Sequence, residues 1–169
     1  MLKTMCLAIF ILISPFSYAK GEALNVQLVY SGFDFLIPSG QDAIGASGGD
    51  SDFLVFRYGK NKGQDYLAFT DMSKDDSSSY GCAPAEFFSD LFESNEVSEC
   101  NKNELASFKK AFLDNSESGS WKGPVAISYY SIGESRSFVF LIYKNKIVKI
   151  DTDFLTKSEL KNILSKIVK

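Results

Sequence analysis

SFVFLIYKNKIVKIDTDFLTKSELKNILSKIVK, residues 137–169, is the stretch that decides the fold. Its first seven residues are a serine followed by a run of β-branched, aromatic and aliphatic residues, too few for a globular helix and well suited to a pleated surface, so residues 137–143 read as a central strand. Lys144-Asn145-Lys146 is a polar turn in which Asn145 can take positive φ, and residues 147–151 return with partial alternation to complete a hairpin. The first strand is apolar on both sides, so both of its faces should be covered. Lys149 and Asp151 suggest that its partner shows one face to water.

A helix follows, and its start is well specified. Thr156-Lys157-Ser158-Glu159 fits a capping box, with the Thr156 hydroxyl serving one orphan backbone amide and Glu159 reaching back to another. Leu155 and Leu160 occupy the two positions of a hydrophobic staple. Leu160, Ile163, Leu164, Ile167 and Val168 recur at three-and-four spacing, the pattern of one buried stripe. That stripe needs a sheet to lie on, so the helix should cover the hairpin and turn Lys157, Lys161, Lys166 and Lys169 to solvent.

The N-terminal end points to export. Lys3, the apolar stretch of residues 5–13 and the small residues Ser17 and Ala19 are the parts of a secretory signal peptide, with cleavage expected after Ala19. Cys6 stands at the start of that apolar stretch rather than beside the cleavage position, which argues against a lipid-anchored cysteine. No later segment approaches the roughly 20 apolar residues of a spanning helix, so no stable membrane anchor is expected. Removing residues 1–19 takes away the single charge of Lys3, and a net charge of −3 becomes −4. A mildly acidic chain lacks the basic footprint of a nucleic-acid binder. The remaining residues, about 150, suit one domain, residues 20–169, able to bury a core without metal or several disulfides.

Cys82 and Cys100 are the cysteines left after cleavage, and in an oxidising compartment an isolated pair is most simply a disulfide. Closing that loop stabilises a fold by about 3 kcal/mol on the chain-entropy account. A redox role would call for Cys-x-x-Cys spacing, which is absent.

Upstream, residues 24–30 and 33–37 read as two short strands separated by Ser31-Gly32. Residues 39–51 are rich in Gly, Ser and Asp and read as a mobile loop. Within it, Gly45-Ala46-Ser47-Gly48-Gly49 matches the letters of a hydrolase nucleophile elbow. The match lacks the preceding hydrophobic strand, the following helix and any histidine to activate the serine, because the chain contains none. The same glycines lack the lysine and helix of a phosphate-binding loop. Residues 52–58 and 64–70 form a second hairpin around a five-residue polar loop.

Residues 71–80 form an acidic, serine-rich loop, and Asp71, Asp75 and Asp76 are candidate partner-binding residues there. Asp71, Ser73 and Asp75 have the alternate spacing that opens a calcium loop, without the glycine and glutamate that would complete it, so no metal site is expected. Pro84 opens a short helix with Phe87, Phe88, Leu91 and Phe92 on one side. Asn101 caps a second helix running through Asp114, with Leu105, Phe108, Phe112 and Leu113 inward. The phenylalanines are expected to pack as core; lining a ligand pocket is the competing reading. Residues 115–123 read as a soft loop carrying the single tryptophan. Trp121 is a candidate interface anchor, because buried aromatics carry much of the energy at protein contacts. Residues 125–131 are one more strand.

The order is three or four strands, two helices, three strands and one helix. It predicts a single α+β domain: a largely antiparallel sheet, a two-helix insertion and a covering C-terminal helix. In element order alone this outline resembles Mog1/PsbP-type domains; no motif carries the resemblance, so it implies no function.

The missing histidine removes the usual proton shuttle near neutral pH, the Ser-His and Cys-His nucleophile pairs and most zinc sites. Asp151 and Asp153, two apart at a strand end, remain as a possible acid pair, and Ser47 with a lysine base as a possible nucleophile. No cofactor is expected. The leading expectation is an exported, periplasmic, non-enzymatic domain that binds a protein partner, with an immunity-type inhibitor of a secreted toxin as its specific form. A carboxylate- or Ser-Lys-dependent hydrolase and an envelope structural or lipid-carrying module are the alternatives.

Overall fold

The computed structural model describes residues 25–48, 52–73, 79–93 and 99–168. The expected leader, residues 1–19, and the candidate residues Asp75 and Asp76 lie outside them. The chain is α+β, with a seven-stranded antiparallel sheet, a two-stranded sheet and three helices.

The first hairpin joins β1 (Asn25–Tyr30) to β2 (Phe33–Pro38) through Ser31 (φ 50°) and Gly32 (φ 82°), a pair of left-handed residues that matches the twist of a two-residue turn. Three strands of the large sheet follow: β3 (Ala43–Ser47), β4 (Phe53–Arg57) and β5 (Tyr66–Asp71). After α1 (Pro84–Glu93) and α2 (Lys102–Phe112) come β6 (Glu117–Lys122), β7 (Ile127–Ile132), β8 (Ser137–Tyr143), β9 (Lys146–Thr152) and α3 (Lys157–Ile163). Among the described residues five strands precede the helix pair and four follow it.

In the large sheet the order is β3-β4-β5-β9-β8-β7-β6. Two antiparallel meanders are zipped together where β5 meets β9. The chain leaves the sheet at β5, crosses it with the helix pair, re-enters at the far edge as β6 and walks back to close. The expected two-helix insertion is therefore a crossover spanning four inter-strand spacings, about 19 Å.

Each face of the sheet has its own core. On one face Phe56, Leu67, Phe69, Val148, Ile150, Val139 and Leu141 pack under the β1–β2 hairpin and α3. Phe35 anchors the hairpin, its ring 5.0 Å from that of Phe69. On the other face Phe138, Phe140, Ile142, Ile147 and Tyr129 pack under Phe87, Phe88, Leu91 and Phe108 of the helix pair. The rings of Phe87 and Phe108 meet edge to face at 5.2 Å, and Phe88 lies 4.8 Å from Phe140. These phenylalanines are core, each fully buried side chain contributing about 1.5–3 kcal/mol. Strand β8 serves both cores by alternation, which explains its apolar run from Phe138 to Ile142.

The capping box at α3 forms as the sequence indicates. Thr156 Oγ1 accepts from the Glu159 amide at 3.3 Å, and the Thr156 amide donates to Glu159 Oε2 at 2.8 Å. These bonds from Thr156 hold the Glu159 carboxyl below its ordinary value. The helix proper is short, yet Leu160, Ile163, Leu164, Ile167 and Val168 are all buried, the last two from the turns beyond the helix. Those turns press against Gly123, where a Cβ would sit 2.1 Å from the Ile167 carbonyl oxygen. Cys82 and Cys100 form a disulfide with a Cα–Cα distance of 4.9 Å, tying the approach to α1 to the cap of α2. Asn101 Oδ1 accepts from the amides of Asn103 and Glu104, and the helix ends at Phe112 rather than Asp114.

Four local expectations are corrected. Residues 39–51 contain an edge strand, β3, and residues 115–123 contain the opposite edge strand, β6. Both are Gly- and Ser-rich segments that become strands because β4 and β7 offer them a ladder. In the β8–β9 turn the positive φ belongs to Lys144 (φ 54°), not Asn145, because Tyr143 and Lys146 pair directly and leave a two-residue connection. Asp151, expected to face water, is buried, since Arg136 and Tyr66 close over it.

Candidate functional site

Trp121 stands near the end of the edge strand β6, opposite Ser128 of β7, while Gly119 lies opposite Tyr130. A Cβ at Gly119 would come 2.6 Å from the Tyr130 hydroxyl, so the glycine leaves room for that phenol on the face shared with Trp121. The two rings stack, with centroids 4.4 Å apart and planes inclined by 26°. A tryptophan held this way is rigid and half-buried rather than carried on a loop.

The first turn of α3 completes the surroundings. Lys157 Nζ lies 4.5 Å over the Tyr130 ring and 2.5 Å from Glu117 Oε1, and the Glu117 carboxylate and then the Tyr130 phenol raise its pKa. Trp121, Thr156, Lys157, Ser158 and Lys161 line an open cleft of about 440 Å³ between the sheet edge and the helix. An indole, two ammonium groups and two hydroxyls suit recognition of an apolar group accompanied by negative charge.

A second cluster occupies the opposite face. Tyr66 OH donates to Asp151 Oδ1 at 2.8 Å, and Arg136 Nε donates to the Tyr66 oxygen at 2.7 Å and to Asp151 Oδ1 at 3.1 Å. Burial, reinforced by the Asp151 carboxylate and opposed by Arg136, pushes the Tyr66 phenol up to about 12. Burial alone would lower the Arg136 pKa, but its bonds with Tyr66 and Asp151 raise it. Beside Arg136 a polar cleft of about 610 Å³ runs along the end of α2, past Asn115, Ser116 and Ser131.

Asp153, the other member of the sequence's acid pair, accepts from the amides of Asp65 at 3.1 Å and Tyr66 at 2.9 Å, so it holds the start of β5. The two carboxylates are thus engaged in different internal bonds. Ser47 sits on β3, where Gly45 and Ala46 continue the strand instead of turning toward a helix.

Asp71 ends β5, and its carboxylate accepts from the Ser31 hydroxyl and, at 2.9 Å, from the Ser73 amide. Burial tends to raise its pKa, but these donors and the charge of Lys146 outweigh that and lower it. Its amide donates to Tyr30 OH at 2.9 Å, so the residue fastens the β1–β2 hairpin to the sheet. Asp71, Val148, Leu141, Ser128 and Trp121 form one row across the sheet. Asp71 and Trp121 therefore share a face about 19 Å apart, with the hairpin and α3 packed on that face.

Cys82, Glu86 and Cys100 bring one sulfur or oxygen each within 4.8 Å of one another. The sulfurs are bonded together and offer no thiolate to a metal. The Trp121 cleft was only partly legible in sequence: the tryptophan drew attention, but Lys157 and Lys161 read as a solvated helix back. Comparison with family models, with curated proteins and with solved structures finds no match for this chain.

Proposed function

We propose that the chain is an exported, non-catalytic protein-binding domain, with an immunity-type inhibitor of a secreted toxin as its specific form. The observation that carries the reading is Trp121, held rigid on an exposed sheet edge by Tyr130 and opening onto a cleft. Aromatic anchors that need no ordering on binding are the residues that dominate protein contacts. Export rests on the leader pattern at the N-terminus and on the Cys82–Cys100 disulfide, a bond that persists in oxidising compartments.

The alternative hydrolase draws little support, because Asp151 and Asp153 are committed to internal bonds and the chain has no histidine. The lipid-carrier alternative draws little either, since Phe87 and Phe88 are fully buried among other rings. The test is affinity capture from envelope extract at low salt with the wild-type chain and Trp121→Ala. The wild type should retain a stoichiometric partner that the variant loses by tenfold or more. Recovery of no such partner by the wild type sinks the proposal.

A further inference from the structure

We infer that the partner segment is an extended, acidic stretch of polypeptide that adds to β6 as an eighth strand and lies in the groove between that edge and α3. The inference rests on the protein-binding reading above and names the chemistry of the partner. Among the described residues β6 has β7 as its one strand partner, so its outer edge carries no further strand and can accept one. Ser118, Gly119 and Ser120 make the middle of the strand narrow, which lets another backbone approach.

Alternate side chains of an added strand fall on the α3 side, into the cleft of Trp121, Lys157 and Lys161. An apolar or aromatic side chain there covers the exposed part of the indole. The charge on this groove opposes that of the whole chain: Lys157 and Lys161 line it from α3, and the one acid of β6, Glu117, is already paired with Lys157. Lys161 is exposed, which leaves one cation in the groove to meet a carboxylate on the incoming segment, while Lys122 lies on the other face of the strand. The other edge, β3, carries no charged residue of its own, and its Ile44 is 65% exposed, so it offers an acidic segment less than β6 does.

The test pans a random library of linear dodecamer peptides on the purified chain and maps an enriched, synthesised peptide by backbone amide shifts. Enriched sequences should hold more Asp and Glu than Lys and Arg around an apolar residue. Their shifts should centre on residues 117–122. Lys161→Glu, an exposed position that leaves the melting temperature unchanged, should weaken binding at least tenfold, and exchanging the peptide's acids for lysines should restore it. A proline at the peptide centre should abolish binding. No enrichment, enrichment of basic sequences, shifts centred on β3, or indifference to Lys161→Glu would each overturn the inference. If an extract partner is captured equally by wild type and Lys161→Glu but lost by Trp121→Ala, this inference fails while the protein-binding reading stands.

Discussion

Asp151→Asn tests whether the Tyr66–Asp151–Arg136 cluster is a brace or a catalytic group. The Asp151 side chain is 8% exposed and that of Arg136 is 55% exposed, so the ion pair is half screened and contributes at most about 1 kcal/mol. The hydrogen bond from Tyr66 to a charged acceptor adds about 1.5–3 kcal/mol, of which asparagine keeps a part because its carbonyl still accepts. The expected loss is therefore about 1–2 kcal/mol for Asp151→Asn. Asp151→Ala, which strips Tyr66 of its acceptor and Arg136 of one of its two, should lose about 2–4 kcal/mol. At roughly 3 °C per kcal/mol for a domain of this size, Asp151→Asn should lower the melting temperature by about 3–6 °C. A double-mutant cycle with Arg136→Gln should return a coupling of about 1 kcal/mol. An independent readout is the phenolate absorbance. Tyr66 should titrate below its present value of about 12 once the neighbouring negative charge is gone, while burial still keeps it above 10. If Asp151→Asn leaves melting and the Tyr66 titration unchanged, the brace is refuted. If it spares melting but removes turnover of a hydrolysable substrate, the acid is catalytic and the non-enzymatic reading falls with it.

Replacing Cys82 and Cys100 together by serine should cost about 3 kcal/mol on the chain-entropy account, read as a lower urea midpoint, because the bridge closes a separation of 18 residues. A loss under about 1 kcal/mol would mean that helix packing already restrains this loop in the unfolded chain. Asp71 has a lowered folded pKa, so its contribution is complete above the unfolded value of about 3.9 and is lost as pH falls through the folded value. Asp71→Asn should therefore lower stability at pH 7 and flatten the acid limb of a stability–pH curve. An acid limb as steep as that of the wild type would refute the assignment.

What the sequence determined by itself is what is local. The Thr156 and Glu159 capping box, the Asn101 cap, the β8–β9 and β4–β5 hairpins and the stripe under α3 all rest on contacts within a few residues. Side-chain type and spacing carry that information. The tertiary structure decided the rest. Strands β3 and β6 have little strand propensity of their own and exist because a neighbour's ladder pairs their backbone. Asp151 reads as a polar face until Tyr66, 85 residues away, and Arg136, 15 away, arrive to pair it. Lys157 and Lys161 read as an ordinary helix back until β6 lies alongside and turns them into one wall of a groove. Local patterns are fixed by bonds that close over one turn. Edges, clefts and buried polar pairs are fixed by which distant strands meet, and that is settled only when the two meanders join at β5 and β9.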